Sequence, residues 1–231
     1  MRAREIAKAA LRGAPAVAVI GILATGTAAW AAEQGNLPAS MLPLLRDPEH
    51  QQTVMQAAQR SLVWVNNPCP GATFANSGDV AIFAPVTVDA QGTATGGAWR
   101  ERIVAKGCGK QRLLNVLTVV EAPGKLASAA LLPGTTRADP QLQRDAMQYA
   151  VVAAGGPPPP SCKKAYVGDT KYIAAEGPVD RSLPPQFRTA PWREEWTMVA
   201  CETTAVVTLH FAPDASGTNI RVNLGETRRL P

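Results

Sequence analysis

Two Trp-Arg-Glu triplets, Trp99-Arg100-Glu101 and Trp192-Arg193-Glu194, hold the residues best suited to chemistry in this 231-residue chain. A carboxyl group kept beside an indole and away from water is a candidate general acid or base. On a strand, alternate residues share a face, so Trp99, Glu101, Ile103 and Ala105 point one way and Arg100, Arg102, Val104 and Cys108 the other. The second copy sets Trp192, Glu194, Trp196 and Met198 against Arg193, Glu195, Thr197 and Val199. A glutamate among large apolar side chains requires a cation or hydrogen-bond donors. A strand beginning at a sheet edge would supply a cross-strand Lys or Arg and make both glutamates structural. A pocket would instead make Trp99, Glu101, Trp192, Glu194 and Trp196 a ligand or partner face.

The remaining reactive residues point to structure. His50 lies in the first turn of an expected helix and His210 on an expected strand, where the repeat alignment puts it opposite Val120. No H-x-x-H, HExxH, P-loop, G-x-S-x-G or G-x-G-x-x-G motif is present, so neither metal nor cofactor is expected. The cysteines are spaced for disulfides: Cys69 to Cys108 and Cys162 to Cys201 are both 39 residues, and each first cysteine precedes its triplet tryptophan by 30. The expected pairs are Cys69–Cys108 and Cys162–Cys201, each pinning a helix exit to a sheet.

Those equal spacings belong to a tandem repeat. Asp47-Pro48, Gln51, Met55-Gln56 and Ala58 recur 92 residues later, and Ala72 and Pro85-Val86 recur at 93. Beyond the second cysteine the matched letters Val116, Thr118 and Ala122-Pro123 recur at an offset of 90. The expected organisation is a signal peptide over 1–31, a lead-in over 32–42, one repeat over 43–134 and a second over 135–231.

The leader is read from Arg2, Arg4, Lys8 and Arg12, the apolar run after them, and Ala29 and Ala31 around Trp30, a small-residue cleavage site. Removing residues 1–31 lowers the formal charge from +5 to +2, which leaves no electrostatic case for nucleic acid. The mature chain is expected to carry no stable membrane span and to reside in the periplasm or be secreted, where cysteines oxidise.

Each repeat opens with a helix. In "DPEHQQTVMQAAQRSLVWV" Asp47 is an expected N-cap, Pro48 the first helical residue, and Val54, Ala58, Leu62 and Val65 the buried stripe. In "DPQLQRDAMQYAVVAA" the stripe is Leu142, Ala146, Ala150 and Ala153. Strands are expected over 80–89, 98–107, 113–123 and 125–132, then 165–175, 192–201, 205–213 and 218–226. A helix followed by a run of strands is an α+β pattern, one helix on a roughly four-stranded antiparallel sheet, made twice. In element order this resembles cystatin-like or NTF2-like units.

The pattern W-x-E-x-W at 192–196, followed by Cys201 and by P-D-x-x-G at 213–217, resembles uncharacterised exported proteins of Gram-negative bacteria. That resemblance implies periplasmic residence and assigns no chemistry. The expected function is a non-catalytic binding or envelope-assembly protein whose partner is an envelope protein or an apolar small molecule. The alternatives are a periplasmic enzyme using Glu101 or Glu194 as acid or base, and a protease-inhibitor-like module.

Overall fold

A computed structural model describes residues 37–64, 69–107 and 109–230. The chain is α+β, with two antiparallel sheets, each carrying a helix. Helices α1 (Met41–Arg46) and α2 (Pro48–Trp64) precede β1 (Thr73–Val88), β2 (Ala94–Gly107), β3 (Lys110–Ala122) and β4 (Lys125–Ala130), which pair in sequence order. Helix α3 (Pro140–Ala153) precedes β5 (Ala165–Ala175), β6 (Trp192–Ala200), β7 (Thr203–Asp214) and β8 (Gly217–Val222), again in order. A last strand, β9 (Arg228–Leu230), pairs with β7 beside the stretch that β8 leaves open. Neither α1 nor β9 was expected. Both are short, and β9 has exposed residues throughout, so neither carries a readable apolar period.

The aspartates before the prolines cap their helices: Asp47 Oδ1 accepts from the His50 amide at 2.8 Å, and Asp139 Oδ1 from the Leu142 amide at 2.8 Å. Leu142, Ala146, Ala150 and Ala153 are buried against Val167, Trp192, Trp196, Met198, Val207, Leu209 and Phe211. Trp192 stacks on Phe211 with ring centroids 4.7 Å apart. In the first unit Val54, Ala58 and Leu62 pack on Ile103, Ala105, Leu114 and Val116, while Met41 of α1 closes the Trp99 end. Val65, the last residue of the expected stripe, lies outside the described residues, as does the expected signal peptide.

The sheets relate the two units by an offset that differs from the one in the matching letters. In β2 and β3 the cross-strand partners are Trp99 with Thr118, Glu101 with Val116, and Gly107 with Lys110. In β6 and β7 they are Trp192 with Phe211, Glu194 with Leu209, and Ala200 with Thr203. Every one of these pairs is related by 93 residues, so the offset of 90 read from matching letters does not hold. Gly107 pairs with Lys110 as Ala200 pairs with Thr203, so the two hairpins close at the same spacing. His210 accordingly stands where Leu117 does, not Val120.

The segment after β4 joins the sheets. The Leu131 and Gly134 amides donate to the Asn115 and Leu113 carbonyls of β3 at 2.8 Å each. From the other side, the Thr170 amide donates to the Pro133 carbonyl at 2.9 Å and the Thr135 amide to the Thr170 carbonyl at 2.7 Å. The expected boundary at 134/135 thus falls inside a strand-like segment bonded to both sheets. Gly134 has φ of 101°, and a Cβ there would collide with the Thr170 carbonyl oxygen. Only glycine permits this approach.

Candidate functional site

Each Trp-x-Glu pair closes on itself. Because residues two apart on a strand share a face, the Trp99 indole N–H reaches Glu101 Oε1 at 3.1 Å and the Trp192 indole N–H reaches Glu194 Oε1 at 2.8 Å. Both carboxylates are completely buried under their helices. Each also holds the start of its helix. Glu101 Oε1 meets His50 Nε2 at 2.6 Å in the first turn of α2, and its Oε2 accepts from Asn76 Nδ2 at 2.8 Å. Glu194 Oε1 accepts the Arg137 backbone amide at 2.7 Å, two residues before the α3 cap, and its Oε2 accepts the Trp196 indole N–H at 2.8 Å.

Three donors on each buried carboxylate answer the demand that burial creates. The partners are not the cross-strand Lys or Arg expected of an edge. Strands β2 and β6 are interior strands with neighbours on both sides, and indoles, an imidazole, an amide side chain and a backbone amide take the place of the cation. Both carboxylates are thus hydrogen-bonded inside their units and have no exposed surface. The structure places Trp99, Glu101, Trp192, Glu194 and Trp196 in the interiors of the two units, none more than 5% exposed.

His50 was the residue that sequence reasoning passed over. It is buried and tilted against the Trp99 ring, with centroids 5.7 Å apart, and its Nδ1 has no partner. The signal was there: His50, Val54, Ala58 and Leu62 follow one another at four-residue steps, which puts the imidazole on the buried stripe. Asn76 had no such signal, since it sits beside an irregularity in β1 between the pairs Asn76/Ile103 and Val80/Glu101.

The triplet arginines differ between the units. Arg100, buried on the outer face of the first sheet, donates to Asp79 Oδ1 at 2.9 Å and to the Thr136 carbonyl at 3.3 Å, while Arg102 binds the other Asp79 oxygen. Burial, and then the neighbouring charge of Arg102, hold the Arg100 pKa below its ordinary value, with Asp79 acting against them. Arg193 is partly exposed, and its Nε stands 3.8 Å from Glu176 Oε1.

Cys162 and Cys201 form the expected disulfide, joining the segment after α3 to the β6–β7 turn. Cys69 is also disulfide-bonded, but Cys108 lies outside the described residues, so that pairing stays an expectation. Beside Cys69, a cavity of about 10 Å³ lined by Leu62, Ala72, Ala105 and Gly107 has room for no more than one water. Among the described residues no group of three or more His, Cys, Asp or Glu could hold a metal ion.

No protein-family model, no curated protein and no solved structure matches this chain. Among the described residues, no helix is long and apolar enough to cross a membrane.

Proposed function

We propose that the chain is an exported, non-catalytic binding or assembly protein of the cell envelope, periplasmic or secreted, that acts through its surface. One observation carries this reading: Glu101 and Glu194, the residues with the best claim to chemistry, are completely buried and held by three hydrogen bonds each. The two carboxylates serve as keystones that fix helix to sheet. The Cys162–Cys201 disulfide supports an oxidising compartment, in keeping with a cleaved leader over residues 1–31 and with the resemblance to exported Gram-negative proteins. Tyr149 and Val152, three residues apart on α3 and 45% and 64% exposed, are apolar side chains open to a partner. The common cross-strand register supports descent of both units from one ancestral helix-plus-meander.

Osmotic-shock fractionation with N-terminal sequencing tests the location. The expected product begins at or near Ala32, and cytosolic protein retaining Met1 would overturn it. Glu101→Gln and Glu194→Gln test the keystone role. Both variants should melt at lower temperature, by roughly 2–4 °C for each kcal/mol lost. Unchanged melting in both would restore the acid–base alternative.

A further inference from the structure

A separate cluster on the outer face of the second sheet has no part in the keystones. His210 of β7 lies between two carboxylates from different segments. Its Nδ1 meets Glu176 Oε2 at 2.8 Å, just after β5, and its Nε2 meets Glu226 Oε2 at 3.0 Å, in the 3-10 turn Leu224–Glu226. Arg193 of β6 and Arg221 of β8 flank His210 across the sheet as its register partners. Glu176 also faces Arg193, and Glu226 accepts from Asn223 Nδ2 at 3.0 Å. A carboxylate on each ring nitrogen is a geometry that only the imidazolium satisfies, because a neutral ring donates once and would turn a lone pair toward the other carboxylate.

The segment that Glu226 belongs to is otherwise lightly held. Beyond it, β9 contributes three register pairs with Thr204–Val206 and one exposed ion pair, Arg228 to Glu195 at 2.8 Å. Thr227, between the turn and the strand, has a buried hydroxyl with no partner. Beneath β9, Ala205 and Val206 are buried.

We propose that Glu176, His210 and Glu226 form a pH-operated clamp that fastens residues 223–230 to the second sheet while His210 carries its proton and frees them when the proton leaves. Burial of the ring pulls the His210 pKa down, but the hydrogen bonds and charges of Glu176 and Glu226 outweigh it and raise it above the ordinary value. Glu226 is held below the usual carboxylate range, first by its bond to His210 and then by Asn223. The signs follow by linkage. The His210 contribution is fully present below the unfolded-state value and is lost as pH rises through the raised native value. The Glu226 contribution is present above the unfolded-state value and is lost as pH falls through the lowered native one. The clamp is therefore closed between these limits and opens on the alkaline side as His210 is neutralised. Opening uncovers the β7 edge at Thr204–Val206, a strand edge able to pair with another chain.

Amide hydrogen exchange of the full chain, corrected for intrinsic rates and followed from mildly acidic to alkaline pH, tests the clamp. Protection over 224–230 should fall about three- to tenfold, the range for partly exposed ion pairs, in step with the His210 ring titration followed by NMR. His210→Gln should show the reduced protection at every pH. Glu226→Gln, which removes one arm at the surface, should shift the His210 midpoint to lower pH even if His210→Gln fails to fold. Protection in the natural chain that ignores the His210 titration, or a midpoint unmoved by Glu226→Gln, would overturn the proposal.

Discussion

The two units solve the same problem with different residues. Glu101 and Glu194 stand at the same place in the same register, each with a tryptophan donating from two residues before it. In the first unit a further donor comes from the helix, as His50, and the strand position two residues beyond the glutamate is the apolar Ile103. In the second unit the helix position equivalent to His50 is the apolar Leu142, and the strand position equivalent to Ile103 is the donor Trp196. Two of the three donors differ between the units: on the oxygen shared with the first tryptophan the Arg137 backbone amide stands where His50 does, and on the other oxygen Trp196 stands where Asn76 does. A buried acid surrounded by donors is held by their number more than by their identity, since each unpaired lone pair is costly.

The strongest way to break this parallel is to remove the disulfide of one unit. Replacing Cys162 and Cys201 together by Ser opens a loop spanning a separation of 39 residues, worth about 4 kcal/mol in the chain-entropy model. Hydrogen exchange should show α3 and β5–β8 losing protection while α2 and β2–β3 keep theirs. Equal loss in both would mean that the units do not respond separately.

Their joint gives the next effect. A Cβ at Gly134 would lie 2.6 Å from the Thr170 amide nitrogen and collide with its carbonyl, at a φ unsuited to L residues. Gly134→Ala should cost about 3 kcal/mol through overpacking and backbone strain, lowering Tm by roughly 6–12 °C. Unlike the disulfide variant, it should loosen β3 and β5 together. Protection lost in only one sheet would show that the shared segment is not a real joint.

How much of this was legible follows from where each residue lies. The helices were readable because Asp-Pro starts and four-residue stripes are local signals, and the strand faces because Trp99 and Trp192 begin runs of alternating burial. The register beyond the second cysteine was misread since matching letters such as Val116 and Val206 lie on opposite faces of their sheets: Val116 pairs with Glu101 and Val206 with Thr197. Side-chain letters differ there while the backbone pairing is the same. The partners of the glutamates were hidden for another reason. Asn76, His50 and the Arg137 amide are 25, 51 and 57 residues away along the chain, and only the completed sheet brings them close.

Changing the two positions in the first unit sharpens the comparison. His50→Leu in the first unit leaves Glu101 with two donors and should cost about 2 kcal/mol, and Ile103→Trp alone should cost a similar amount through overpacking. The new indole N–H can supply the donor that His50 loses, so the double variant should be less destabilised than the sum by about 1 kcal/mol in a double-mutant cycle measured by denaturant unfolding. Strict additivity would show that an indole at 103 does not make up for the lost His50 contact.

The smallest effect concerns the helix starts, where the two units are alike. Asp47 and Asp139 lie 92 residues apart, precede a proline, and accept a backbone amide three residues on at 2.8 Å in both cases. Replacing either by Ala leaves that amide without its acceptor and should cost about 1 kcal/mol. In the first unit the freed amide belongs to His50, whose ring is bound to Glu101, so loosening the cap also loosens a keystone contact. In the second unit it belongs to Leu142, which touches the core only through apolar atoms. Asp47→Ala should therefore reduce protection at Glu101 and β2 as well as in the first turn of α2, whereas Asp139→Ala should confine its effect to the first turn of α3. Residue-resolved exchange distinguishes these outcomes, and a matching spread of the Asp139→Ala effect into β6 would mean that the cap supports the Arg137 amide and hence the second keystone too.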